Sequence, residues 1–129
     1  MVIVSFLSAY EDVKEDVVVA RVGETLEAHD RLDVRLNVTV VPHEVVVELA
    51  KHYLKETEKE AQSHPVLSFA TDEIEGGFSS PPGQNDIGDV VVSFGMASKM
   101  AKKSNTDVSE EVAALAAHGT LHLLGIHHS

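Results

Sequence analysis

From Val108 to Leu124 the chain has a helical stretch with almost no polar side. Val112, Ala113, Ala116, Ala117, Leu121, Leu123 and Leu124 point in nearly every direction around such a helix. A helix apolar all round has to be enclosed by other elements, so this segment demands a fold that wraps it. Asp107 offers an N-cap, and Glu110, three residues on, the reciprocal partner of a capping box. The small residues Ala113, Ala116, Ala117 and Gly119 let neighbouring elements pack close. Glu111, Leu115, His118 and His122 make one narrow stripe, and its polar members are almost the only ones on the buried turns.

Histidines four residues apart share one helix face, with Cβ atoms about 5–6 Å apart. Burying two imidazoles costs free energy unless each is satisfied. One metal ion satisfies both; a hydrogen-bonded core pair is the alternative. Gly125 ends the periodic pattern and tolerates the left-handed backbone of a helix end. The chain can turn there and bring a third imidazole from His127-His128 to the same ion. Three histidines with an open fourth position form a catalytic zinc site. The internal pair and Gly125 argue against reading the last histidines as the start of a terminal tag. Metalloproteases also space histidines by four, but with a glutamate directly after the first as general base. Gly119 occupies that place here, which weakens a peptidase reading.

Composition narrows the chemistry further. The 129 residues are enough for one domain with its own core. There is no cysteine, so any metal ligands are nitrogen or oxygen, and a reducing compartment fits. No apolar run approaches the roughly 18 residues of a membrane span. The N-terminus, Met1 to Leu7, reads as a short strand and not as a signal peptide, so a soluble cytoplasmic protein is expected. The net charge of −11 repels phosphate backbones at long range, which disfavours generic nucleic-acid binding and any DNA partner. Lys99, Lys102 and Lys103 are the best basic cluster and read as a solvated helix face.

Along the chain, residues 2–7 read as a strand. Residues 9–30 carry Val13, Val17, Ala20 and Leu26 at loosely helical spacing, interrupted by Gly23. Residues 34–41 alternate, with Val34, Leu36, Val38 and Val40 on one face and Arg35, Asn37 and Thr39 on the other, the pattern of a half-buried strand closed by Pro42. Residues 43–61 read as one helix with a polar second half. Val66–Phe69 and Val90–Phe94 read as short strands around a Gly/Ser/Pro loop at 71–87, and residues 96–103 as a short helix. No repeat or domain boundary interrupts residues 1–129.

The series His118-Gly119-x-Leu121-His122-Leu123-x-Gly125-x-x-His128 resembles the signature of the YbeY family (UPF0054), bacterial metal-dependent endoribonucleases linked to ribosomal RNA maturation. Val66-Leu67-Ser68-Phe69 resembles the family's strand before its acidic loop, and Gly88-Asp89-Val90-Val91-Val92 the strand after it. The resemblance spans residues 34–128. It implies an α+β fold, a small mixed sheet of about four strands surrounded by helices, with the metal-binding C-terminal helix buried. It implies one zinc or another divalent transition metal on His118, His122 and His128, and a single-stranded, ribosomal RNA substrate. His127, where the family has aspartate, has three readings: an alternative ligand, a neighbour supporting the ligands, or a surface residue.

Other departures bear on catalysis. The family's Tyr-Arg pair, whose arginine is expected to bind phosphate, corresponds to Tyr53-Leu54, followed by Lys55. Lys55, or Lys59, is the candidate for the positive charge, though a lysine does not reproduce arginine's planar fork, and the alternative reading of Lys55 is a surface residue. The segment from Glu56 to His64 is longer than the family's. Ser63-His64-Pro65 replaces its Pro-Thr-Asp, and Ala70 its proline after the strand. His64 either faces the cleft or is held in a loop. Ser68 either binds substrate or bonds to neighbouring backbone, and Asp89 either orients a ligand histidine or fixes a strand end. The expected catalytic residues are thus His118, His122 and Lys55, in a metal-dependent RNA hydrolase. A homologue that binds metal but acts as a ribosome-assembly partner, and a hydrolase of another substrate, are the rival readings.

Overall fold

The computed structural model describes residues 3–31, 33–70 and 86–125. Four strands, β1 (Ile3–Ser8), β2 (Arg35–Val41), β3 (Val66–Ala70) and β4 (Asp86–Ser93), form one mixed sheet in the order β1-β2-β4-β3. β1 and β4 run parallel to β2, and β3 runs antiparallel to β4. Five helices accompany them: α1 (Glu15–Ala28), α2 (His43–Tyr53), α3 (Glu58–Ala61), α4 (Phe94–Ser104) and α5 (Val108–Leu123). The fold is α+β, as expected. The loop foreseen at 71–87 lies outside the described residues, apart from Asp86 and Ile87, which begin β4.

Each sheet face has its own core. Leu36, Val38, Val40, Val90 and Val92 pack against Val18, Val22 and Leu26 of α1 and Val112, Ala113, Leu115 and Ala116 of α5. The opposite face carries Leu67, Phe69 and Val91, covered by Val46, Val47 and Ala50 of α2 and Ala61 of α3. β2 is therefore an interior strand with cover on both sides. The half-buried reading of its alternation holds at Arg35 and Thr39, which are partly exposed, and fails at Asn37, which is 3% exposed. Alternation reports one apolar face, but a strand between two others also loses solvent from the polar one.

Helix boundaries differ from the sequence reading in three informative ways. α1 runs unbroken through Gly23, and its buried stripe is Val18, Val22 and Leu26; Ala20 is exposed. The expected single helix over 43–61 is two, α2 and α3, separated by Lys55 in a left-handed conformation (φ 58°). Thr57 then starts α3 with a full capping box, its hydroxyl accepting from Glu60 N while Glu60 Oε1 accepts from Thr57 N. At α5, Asp107 is the N-cap, but its carboxylate accepts from Ser109 N at 2.8 Å, and the capping box with Glu110 does not form.

Candidate active site

α5 is held on the sheet by its smallest residue. A Cβ on Gly119 would lie 2.7 Å from both Ser68 Oγ and Val90 Cγ1, too close for any side chain to sit there. The Ser68 hydroxyl donates to the Gly119 carbonyl at 2.8 Å, tying β3 to the helix. The position that in metalloproteases carries the glutamate base is thus occupied by packing. Of the two readings of Ser68, backbone bonding is the one observed, although the residue also borders the cleft.

α5 is not buried on all sides. Val112, Ala113, Leu115, Ala116, Ala117 and Thr120 are enclosed, while His118 and His122 are exposed. The polar stripe starts half-buried at Glu111 and opens to the surface over the last two turns. There the two imidazoles lie with ring centres 4.4 Å apart and planes inclined at 57°. Zinc–nitrogen bonds of about 2.0–2.1 Å put two imidazole centres on one tetrahedral ion roughly 5 Å apart. The donor set and its spacing therefore fit a divalent metal. Among the described residues no group of three or more His, Cys, Asp or Glu side chains is placed to hold an ion. His127 and His128, the expected sources of a third ligand, lie outside the described residues.

A cleft of about 350 Å³ runs along β3 between the ends of α2 and α5. Leu54, His64, Ser68, His122 and Leu123 contribute to its lining. Leu54 is an apolar part of this lining. Lys55 is exposed beside it and does not line the cleft. His64 does line it. Its Nε2 donates to both oxygens of Glu56, at 2.7 and 2.9 Å, and the two side chains are 29% and 22% exposed. This pair escaped sequence reasoning because Glu56 fell in the stretch read as helix over 43–61 and His64 beyond it, so no local pattern joined them. The signal was present in the Thr57–Glu60 cap, which separates a new helix from the residues before it.

The chain around this pair is hydrogen-bonded to itself. Gln62 Nε2 and Lys51 Nζ donate to Glu58, and the Ser63 hydroxyl to Glu60 O. Gln62 and then Lys51 hold the Glu58 carboxyl below its usual range, and the Thr57 amide and hydroxyl do the same for Glu60. The bond to Glu58 raises Lys51. On the face covered by α2, Asp89 is 5% exposed and in register with Asn37 and Phe69. Its neighbour Val90 faces α5. The sheet therefore stands between Asp89 and the helix that carries His118 and His122, which favours the structural role for Asp89. Lys99, Lys102 and Lys103 are exposed on α4, as a solvated face requires. No helix of the described residues is long and apolar enough to cross a membrane.

Fold and site together define a small α+β protein with a cleft at a sheet edge and a pair of exposed imidazoles on α5, one of which lines that cleft. The chain matches the family of Endoribonuclease YbeY over residues 7–129, and it belongs to that family. It is 33% identical to Endoribonuclease YbeY of Corynebacterium efficiens over 126 residues, 94% of this chain and 61% of that protein. The proteins of the same name from Syntrophus aciditrophicus and Caldicellulosiruptor saccharolyticus are 34% and 32% identical over 84% and 72% of the chain. The chain spans about three fifths of the length of these relatives.

Proposed function

We propose that this chain is a metal-dependent endoribonuclease that cleaves single-stranded segments of ribosomal RNA during maturation or quality control. The observation that carries the reading is the pair of exposed imidazoles on α5, with ring centres 4.4 Å apart, of which His122 lines the cleft. His118 and His122 would hold one zinc ion, with His128 as the third ligand. When bound, such an ion would supply Lewis acidity, activating water and offsetting phosphate charge near neutral pH. The residues of the chain do the rest. The imidazoles bind as neutral donors. The packing of α5 on β3 fixes them relative to the cleft. Lys55, exposed at the cleft margin, is the candidate to neutralise a phosphate as a point charge. The family name of the relatives supports RNA as the substrate class. The absence of cysteine supports a reducing, cytoplasmic setting.

A second reading has one specific observation in its favour. Leu54 lines the cleft where the family's arginine would stand, and the net charge is −11. On that reading the chain retains metal but acts by binding a ribosomal or assembly protein. The two separate when tag-free protein is assayed for bound zinc and for cleavage of structured ribosomal RNA beside a His122→Ala variant. The nuclease reading predicts one equivalent of zinc and cleavage lost both in the variant and on chelation. One equivalent of zinc with no metal-dependent cleavage would establish the second reading instead.

A further inference from the structure

We infer that His64, held by Glu56, is the proton donor to the leaving oxygen in this cleft; the inference rests on the hydrolase reading above. A ribose oxygen departs poorly as an alkoxide, and a metal that activates water does not by itself protonate it. The cleft has to provide an acid. Three observations assign that role. First, His64 lines the same cleft as His122 and comes from a different part of the chain. Second, among the described residues the other hydroxyl or titratable groups of the lining are committed. The Ser68 hydrogen goes to the Gly119 carbonyl, and His122 is the proposed metal ligand. Third, the ring has a defined orientation. A carboxylate only accepts, so Nε2 carries the hydrogen shared with Glu56, and Nδ1 is the nitrogen left for chemistry. Among the described residues Nδ1 makes no hydrogen bond.

The step balances. Water's oxygen bonds to phosphorus as the bond from phosphorus to the leaving ribose oxygen breaks, its electron pair staying on that oxygen. The Nδ1 proton of the His64 imidazolium passes to it. The proton shed by the attacking water goes to solvent, from which the imidazole is reprotonated before the next turnover. Glu56 acts through His64 as a positioning residue. Both belong to the Glu56–His64 stretch, which follows Leu54, another residue of the cleft lining. A member that lacks the arginine's positive charge gains, on this assignment, an acid at the same cleft.

Leaving-group dependence tests the assignment. Zinc-loaded protein is assayed on an RNA oligonucleotide and on bis(p-nitrophenyl) phosphate, whose nitrophenolate leaves without a proton. His64→Gln is expected to lose about 100-fold or more in kcat on RNA, with KM and bound zinc unchanged. On the activated ester it should stay within about two-fold of the parent. Glu56→Gln should show the same selective loss, smaller, and carries the comparison if His64→Gln fails to fold. Added imidazole should restore RNA cleavage in His64→Gly. Equal losses on both substrates, or undiminished RNA cleavage in His64→Gln, would overturn proton donation while leaving the hydrolase reading intact. A parent protein that cuts neither substrate with zinc bound would remove that reading, and this assignment with it.

Discussion

Two regions meet at the cleft, and they are built in opposite ways. α5 is positioned by what it excludes: its alanines, leucine and Gly119 press against both α1 and the sheet, and the histidines emerge where that pressure ends. The segment from Leu54 to Pro65 buries only Ala61 and is positioned by hydrogen bonds, among its own polar groups and from His43 and Lys51 of α2. The first region leaves a periodic trace in the sequence and the second leaves almost none. A helix fixed by apolar packing is announced by the spacing of its residues. A loop fixed by Thr57, Glu60, Ser63 and a Glu56–His64 pair is announced only by residue types that are equally common on solvated surfaces.

If packing holds α5, crowding its contact with β3 should give the largest effect. Gly119→Ala should destabilise the fold by about 1–3 kcal/mol, because Ser68 and Val90 must both move, and Gly119→Glu should prevent folding. Denaturant midpoints decide it; an unchanged midpoint for Gly119→Ala would mean that α5 stands off the sheet. Ser68→Ala is gentler. It removes the hydrogen bond to the Gly119 carbonyl and should cost about 0.5–1.5 kcal/mol, with cleavage retained if Ser68 has no role in substrate binding.

On the other side of the comparison the expected effects are electrostatic and depend on pH. The Glu60 carboxyl is held below its ordinary value of 4.5 by the Thr57 amide and hydroxyl. A group lowered on folding contributes stability that is present above its unfolded value and lost as pH falls through the folded one. Glu60→Gln should therefore lower stability at neutral pH and flatten the acid side of a stability–pH curve below about pH 5, converging with the parent at the acid end. A variant curve parallel to the parent's would show that the cap at α3 does not order this segment in solution. Smallest of all, Gly23→Ala should stabilise by about 0.5–1 kcal/mol, since α1 passes through Gly23 with nothing within 4 Å of an added methyl group. A loss of stability there would mean that α1 bends at that residue.

What the sequence made legible follows the same division. The four strands, α1, α4 and α5 were readable, as was the N-cap role of Asp107, because each rests on hydrophobic period or a local stop signal. The break between α2 and α3 was not. It depends on Lys55 adopting a left-handed backbone that lysine rarely takes, so no glycine or asparagine marked it. Nor was the burial of Asn37 and Asp89, which depends on which strands flank β2 and β4 and which helices cover that face. In the site, His118 and His122 were readable from their spacing on a nearly apolar helix. His64 became a cleft residue only once β3 and α5 were brought together, a tertiary fact that no local pattern encodes.

The central claim is that the α5 imidazoles gather one metal ion at the cleft. X-ray absorption at the zinc edge, on tag-free protein loaded with one equivalent of zinc, tests it most directly. The account predicts three imidazole nitrogens at about 2.0–2.1 Å, falling to two in His128→Ala, with stoichiometric zinc lost in His118→Ala and His122→Ala. Zinc bound without imidazole scattering, or bound equally well after both α5 histidines are replaced, would contradict it.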